Sequence, residues 1–318
     1  MYAIIDIGTN STLLLIGKKE TYGKVRILAD EVRINRIGEH LSIDDSISPS
    51  AIKKTIDVLK EYRDICEKHN ATKVVAVGTA ALRTAKNSDE VLHEILKQVG
   101  LDVEVITPDK EAWYTFIAAM QSFGKDIMVC DIGGGSTELT WGILKKTDNK
   151  DSCQFISTNL GSVSLTEKIL KSDPVTKEEL QDLCSTIDGQ IQKALALCTY
   201  KHASTLVATS GTATTIAAIY KKLPKYDPQK IHGTKVTMLD IQVIINNLKE
   251  RTIAERRKII GMQKGREDIS LAGVVILGRI MRRFGYNSVT ISDHGLRWGI
   301  LYEQLLKGDV TPLNNILK

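Results

Sequence analysis

Two stretches of this sequence repeat one pattern 125 positions apart, anchored on Asp6 and Asp131. Each is an apolar run ending in Asp, Ile and Gly, followed by small polar residues and a second apolar run. The first reads Asp6-Ile7-Gly8-Thr9-Asn10-Ser11, the second Asp131-Ile132-Gly133-Gly134-Gly135-Ser136-Thr137-Glu138. One such turn is weak information, because Asp-Ile-Gly after a strand also suits an ordinary hairpin. Two matching turns, each opening a domain-sized half, point to a duplicated unit.

The residue types say what the turns can do. Glycine lets the backbone take φ > 0 and come close to a ligand, so successive N–H groups converge on an anion. Ser and Thr add hydroxyl donors without bulk. Gly8, Thr9, Asn10 and Ser11, and Gly133, Gly134, Gly135 and Ser136, are therefore candidate phosphate contacts. A strand-end Asp repels phosphate but can hold Mg²⁺ against it, which makes Asp6 and Asp131 candidate cation ligands. Glu138 lies two residues on from Ser136, on the same face of a strand, and is expected to share that cation. Ser210, Gly211 and Thr212 form a third small-residue loop; locally it reads as a helix cap as readily as a phosphate loop.

Arg83, beyond the glycine-bearing strand end at Gly78, suits a bidentate phosphate contact. Glu111 stands at a helix start, where a carboxylate can simply answer the helix dipole. His294 follows Asp293 directly, and adjacent residues rarely face each other, so no dyad is expected. The other histidines show no metal-ligand spacing.

A length of 318 residues suits about two domains, and the 42% hydrophobic content supplies two cores. No apolar run is long enough to span a membrane and no leader is visible, which leads to the expectation of a cytoplasmic protein. The five cysteines form no CxxC pair and suit a reducing compartment. Net charge is +5, and basic residues gather at Lys249, Arg251, Arg256, Arg257, Lys258, Lys264 and Arg266. That run is either solvated helix surface or a wall that guides a polyanion. With aromatics at 5% and no stacking platform, nucleic-acid binding is not expected.

Hydrophobic periodicity gives strand, strand, strand, helix, strand, helix, twice over. Domains are expected at residues 1–124 and 125–318, with the terminal helix free to pack back on the first. The expected fold is α/β, with mixed sheets flanked by helices.

The sequence resembles the actin-like ATPase superfamily of sugar kinases, seventy-kilodalton heat-shock chaperones and actin. Within it, the sequence is most similar to the exopolyphosphatase/guanosine pentaphosphate phosphatase family. The resemblance is carried by the two turns, by Gly78-Thr79-Ala80-Ala81-Leu82-Arg83, Lys110-Glu111-Ala112 and Ser292-Asp293-His294-Gly295-Leu296-Arg297-Trp298-Gly299, and by the loop Ala208-Thr209-Ser210-Gly211-Thr212-Ala213. These run from residue 6 to 299 in the family's order.

The resemblance implies two actin-like, ribonuclease H-like domains with the active site in the cleft between them. It implies Mg²⁺-dependent release of terminal phosphate from inorganic polyphosphate or guanosine pentaphosphate. Glu111 then becomes the general base and Arg83 a catalytic partner, and a homodimer stays open among the oligomeric states. Longer relatives carry further C-terminal domains, so a sequence ending at Lys318 is expected to favour short polyphosphates or the nucleotide. Lys110 stands where the family usually has an acidic residue, Trp298 where many relatives have Glu, and the segment before Gly273 lacks a common Pro. The rival readings are a kinase of a small-molecule acceptor and a non-catalytic nucleotide or polyphosphate sensor.

Overall fold

The computed structural model describes residues 1–20, 24–147, 150–196 and 202–306, and at residues 42, 143–147 and 150–153 the backbone only. Two compact units are present: Met1–Ser122 together with the segment that begins at Leu296, and Phe123–Gly295.

The first unit runs through β1 (Tyr2–Ile7), β2 (Thr12–Lys19), β3 (Val25–Arg33), α1 (Leu41–Asp44), α2 (Pro49–Lys68), β4 (Lys73–Gly78), α3 (Ala80–Thr84), α4 (Ser88–Val99), β5 (Val103–Val105) and α5 (Pro108–Phe123). Its sheet has the order β3-β2-β1-β4-β5. β1 is antiparallel to β2 and parallel to β4. Being central, β1 needs apolar residues on both faces, and Ala3, Ile4, Ile5 and Ile7 are all buried. α2 starts where Ser48 accepts the Ala51 N–H at 3.2 Å with Pro49 in the first turn. Its Ile56, Leu59, Tyr62 and Cys66 face the core.

The second unit runs through β6 (Ile127–Ile132), β7 (Thr137–Thr147), β8 (Lys150–Thr158), α6 (Ser162–Ile169), α7 (Lys177–Leu195), β9 (Thr205–Thr209), α8 (Ser210–Tyr220), α9 (Pro228–Ile231), β10 (Lys235–Thr237), α10 (Met238–Lys249), α11 (Ile253–Arg256), α12 (Ser270–Phe284) and β11 (Ser288–Ile291). Its sheet order is β10-β11-β9-β6-β7-β8. Five of these strands repeat the first sheet, with β6 in the place of β1. β10 is extra and antiparallel to β11; three residues with one apolar side chain give no periodicity by which to foresee it. Reciprocal capping boxes, Thr176 with Glu179 and Thr237 with Asp240, start α7 and α10. α12, apolar almost all round, is buried among α6, α7, α8 and α10.

α13 (Leu296–Leu306) lies with the first unit. Leu296, Ile300 and Leu301 join Ile4, Leu15, Val77 and Ile106 in one cluster. A Cβ on Gly299 would sit 1.9 Å from the Tyr114 carbonyl oxygen, so only glycine lets α13 approach α5. Arg297 donates from Nη1 to the Leu14 carbonyl at 3.1 Å and pairs with Asp30. Trp298 packs against Tyr302 with ring centroids 5.8 Å apart. The motif from Ser292 to Gly299 thus serves in part to dock a helix.

Cys66, Cys130 and Cys184 are free thiols; Cys198 and the Cys153 side chain lie outside the described residues. Among the described residues no helix is long and apolar enough to cross a membrane.

Candidate active site

Each turn closes on itself by the same hydrogen bond. Gly8 N–H donates to the Ser11 carbonyl at 3.0 Å, and Gly133 N–H to the Ser136 carbonyl at 2.9 Å. Their supports differ. The first turn is held by Arg36 N–H on the Asn10 carbonyl at 3.0 Å and Gly38 N–H on the Thr9 carbonyl at 2.9 Å. The second is held by Ser162 N–H on the Gly133 carbonyl at 3.0 Å and Val163 N–H on the Gly134 carbonyl at 2.9 Å, at the start of α6. Gly161 comes so close there that a Cβ would meet the Gly134 carbonyl oxygen at 2.1 Å.

In the first turn Thr9, Asn10 and Ser11 are all buried. Both side-chain amide atoms of Asn10, a residue only 5% exposed, lack a hydrogen-bond partner. An unmet buried polar group costs about 1–3 kcal/mol, a sizeable part of the ~5–15 kcal/mol that keeps a domain folded. A ligand with both an acceptor and a donor recovers that cost, and a hydrated phosphate fits.

Glu111 and Arg83, 28 residues apart, are brought together because β4 and β5 are parallel neighbours and α3 and α5 both start beyond the same strand ends. Arg83 Nη1 donates to Glu111 Oε2 at 2.8 Å and to the Ile106 carbonyl at 2.8 Å. Sequence reasoning assigns Arg83 to a bidentate phosphate contact. The structure instead commits Nη1 to Glu111, so a two-pronged contact would have to use the rest of the guanidinium fork. Glu111 is buried near the start of α5, its N–H donating to the Thr107 carbonyl and its own carbonyl accepting the Thr115 hydroxyl. Lys110, the departure beside it, turns away to pair with Glu104.

In the second unit, antiparallel pairing of β6 and β7 sets Asp131 directly opposite Glu138. They are 6% and 1% exposed, and like charges placed so are destabilising without compensation. Each carboxylate has a serine donor: Ser157 Oγ to Glu138 Oε1 at 2.9 Å, and Ser210 Oγ to Asp131 Oδ1. Ser210 therefore donates its hydroxyl hydrogen bond to Asp131, a partner other than the phosphate expected from sequence. It does so from φ = +71°, a left-handed conformation that costs a non-glycine residue about 1–2 kcal/mol.

Among the described residues no group of three or more His, Cys, Asp or Glu converges as a metal cage. The Asp131–Glu138 pair nonetheless fits Mg²⁺, which is commonly held by one or two carboxylates and completed by water and substrate phosphate. Asp6, the third expected ligand, is set opposite Leu13 rather than a carboxylate.

Around Gly211 the partners are structural. A Cβ there would fall 2.0 Å from the Arg266 guanidinium, which lies flat against the glycine. Thr212 is buried and packs where a Cβ on Gly273 would meet it at 2.6 Å, joining α8 to α12.

The basic run does not form a uniform wall. Arg256 is 2% exposed and donates from Nε to the Leu248 carbonyl at 2.8 Å. Arg257 pairs with Glu267 at 2.7 Å. Burial pushes the Glu267 pKa up, but hydrogen bonds from its own N–H, Arg257 and Gly265 outweigh that and hold the carboxyl below its ordinary value. Lys258 and Lys264 are exposed. A count of charges along the chain cannot tell a buried arginine from a solvated one.

The His294 ring lies 4.2 Å from that of His232, and Asp293 takes the Tyr226 hydroxyl. Sequence reasoning passes over Ser157; strand register would have offered it, since Ser157 pairs with Glu138.

The sequence profile of the Ppx/GppA phosphatase family matches residues 15–308. Exopolyphosphatase 2 of Mycobacterium tuberculosis is 31% identical over 94% of this chain and 96% of its own length. A bifunctional 3-dehydroquinate synthase/phosphatase of Fusobacterium nucleatum is 29% identical over 95% of this chain, which spans only 46% of that protein. The crystal structure of the Aquifex aeolicus member of the Ppx/GppA family is 34% identical, with a TM-score of 0.79 over 97% of this chain and 98% of that one. Two mixed sheets flanked by helices, the expected actin-like architecture, are common to both structures.

Proposed function

The chain belongs to the Ppx/GppA phosphatase family of exopolyphosphatase-like hydrolases, and on that premise we propose that it releases terminal phosphate from inorganic polyphosphate by direct attack of water. Guanosine pentaphosphate, which shares the terminal phosphoanhydride, is the second substrate. The observation that carries the reading is the Glu111–Arg83 pair, a buried carboxylate held in one orientation at 2.8 Å in the unit that bears the first phosphate turn.

Glu111 takes the proton from the attacking water, and Arg83 keeps its carboxylate aimed. Beyond the leading glycine, whose N–H closes the turn, the N–H groups of residues 9–11 in one turn and 134–136 in the other are each turn's donors for phosphoryl oxygens, whose growing charge is the dominant need in such a transfer. Asn10 finds in the phosphate and its water the partners its amide lacks. Asp131 and Glu138 would hold a divalent cation, expected to be Mg²⁺, with Asp6 as the first unit's candidate ligand, and the cation would supply charge neutralisation at the leaving oxygens. The water displaces the chain directly, so no phosphoenzyme forms.

Phosphate release from polyphosphate with no acceptor present tests the reading against a kinase and a sensor. Turnover under those conditions supports hydrolysis. Phosphoryl transfer from ATP that requires an added acceptor would place the chain among kinases, and tight binding of polyphosphate without turnover would make it a sensor.

A further inference from the structure

Ser210 adopts a backbone conformation that serine seldom takes, with φ at +71°. β9 lies parallel to β6 with Thr209 opposite Asp131, and the chain leaves β9 for α8 at Ser210. The left-handed turn brings its hydroxyl onto Asp131 Oδ1. The duplicated unit shows what the position looks like without that demand. There β4 lies parallel to β1 with Val77 opposite Asp6, so the residue one place past the aspartate's partner is Gly78, which is still in β4 and opposite Ile7. Gly78 is not among the positive-φ glycines and has no side chain to offer Asp6. The strained serine thus occurs in the unit whose strand-end aspartate faces a second carboxylate, Glu138, and not in the unit whose aspartate faces Leu13.

We infer that Ser210 is a positioning residue for a divalent cation site confined to the second unit. Its hydroxyl holds Asp131 in the rotamer that lets Asp131 and Glu138 act as a pair, while Asp6 is not an essential ligand. A serine free to relax would leave the left-handed region. Strain kept beside a buried carboxylate pair is expected where the surroundings demand that one orientation, and hydrogen bonds that orient a ligand are a principal control of metal affinity. The inference rests on the proposed reading that Asp131 and Glu138 bind the cation.

The test measures Mn²⁺ affinity by electron paramagnetic resonance, with thermal melting of the same samples, on the full chain and its Ser210→Gly, Ser210→Ala, Asp6→Asn and Asp131→Asn variants. Ser210→Gly should weaken Mn²⁺ binding about 10-fold while melting at or above the wild-type temperature, because glycine suits the left-handed turn. That divergence separates positioning from a merely structural role. Ser210→Ala should weaken binding similarly; if it fails to fold, the glycine variant carries the test. Asp6→Asn should leave Mn²⁺ affinity within about 2-fold, well short of the loss expected when an orienting partner is removed. Wild-type Mn²⁺ affinity in Ser210→Gly, with affinity lost in Asp131→Asn, would overturn the role of Ser210 and leave the cation site standing. Affinity lost in Asp6→Asn would overturn the confinement to one unit. Affinity unchanged in Asp131→Asn would overturn the cation site and the inference together.

Discussion

The turn at residues 8–11 and the turn at residues 133–136 share a backbone and differ in the side chains gathered around it. Their closing hydrogen bonds are 3.0 and 2.9 Å, and a Cβ on either leading glycine would meet the same carbonyl, of Ser11 at 3.1 Å or Ser136 at 3.2 Å. Around the first stand an aspartate opposite Leu13, an asparagine with an unmet amide, and the Glu111–Arg83 pair elsewhere in the same unit. Around the second stand two opposed carboxylates with a serine each. Duplication preserved the backbone of the turn, whose geometry depends on a few small residues. The side-chain chemistry diverged, with the candidate base in one unit and the candidate cation pair in the other.

The hardest test of that division is Glu111→Gln. It keeps size and much of the hydrogen bonding but removes the proton acceptor, so kcat for phosphate release from polyphosphate should fall roughly 10²–10⁴-fold with KM little changed. More than about a tenth of wild-type kcat remaining, short of the loss expected for a general base, would take the base out of the first unit.

Next come the carboxylates. Asp131→Asn and Glu138→Gln should each raise the Mg²⁺ concentration for half-maximal activity by about 10-fold or more, with part of the rate recovered at high Mg²⁺. Glu111→Gln should show no such recovery. Rescue of Glu111→Gln by Mg²⁺ would mean that the two units do not divide the work as described.

The supports of the two turns give a smaller contrast, readable in urea unfolding. Gly161→Ala drives a methyl into the Gly134 carbonyl oxygen at 2.1 Å, whereas Gly38→Ala meets the Thr9 Cγ2 methyl at 2.3 Å. A side chain can rotate aside and a backbone held by two N–H donors cannot. Gly161→Ala should therefore sit near the top of the ~1–3 kcal/mol range for overpacking and Gly38→Ala near the bottom. The reverse order would show that the first turn is the stiffer.

The smallest effect is expected outside both turns. Neutralising Lys258 and Lys264, the exposed lysines of the basic run, should raise KM for polyphosphate modestly and flatten its salt dependence without lowering kcat. Arg256→Ala, by contrast, should lower stability, since that guanidinium is buried and bonded to the Leu248 carbonyl. Unchanged KM in the double lysine variant would reduce the segment to solvated surface.

Strand pairing explains which parts of the site could be read in advance. The opposition of Asp131 and Glu138 was legible because a short turn between two apolar runs forces antiparallel pairing, and side chains alternate with period two. The start of α2 is local too, since a serine followed by proline is itself a helix-start signal. The bond between Arg83 and Glu111 was not legible, because it depends on two parallel strands and the helices that leave them. Nor was the burial of Arg256, or the service of Arg297 and Gly299 in seating α13, since each depends on contacts with distant residues.

By itself, the sequence determined the duplicated α/β plan, the two small-residue turns and the family, because glycine, small hydroxyl residues and apolar periodicity act over a few neighbouring residues. Only the tertiary structure decided that Arg83 grips Glu111, that Ser210 bends into a left-handed turn to reach Asp131, and that the basic run is partly core. Those outcomes depend on which distant strand ends meet, and no short-range preference of the chain encodes that meeting.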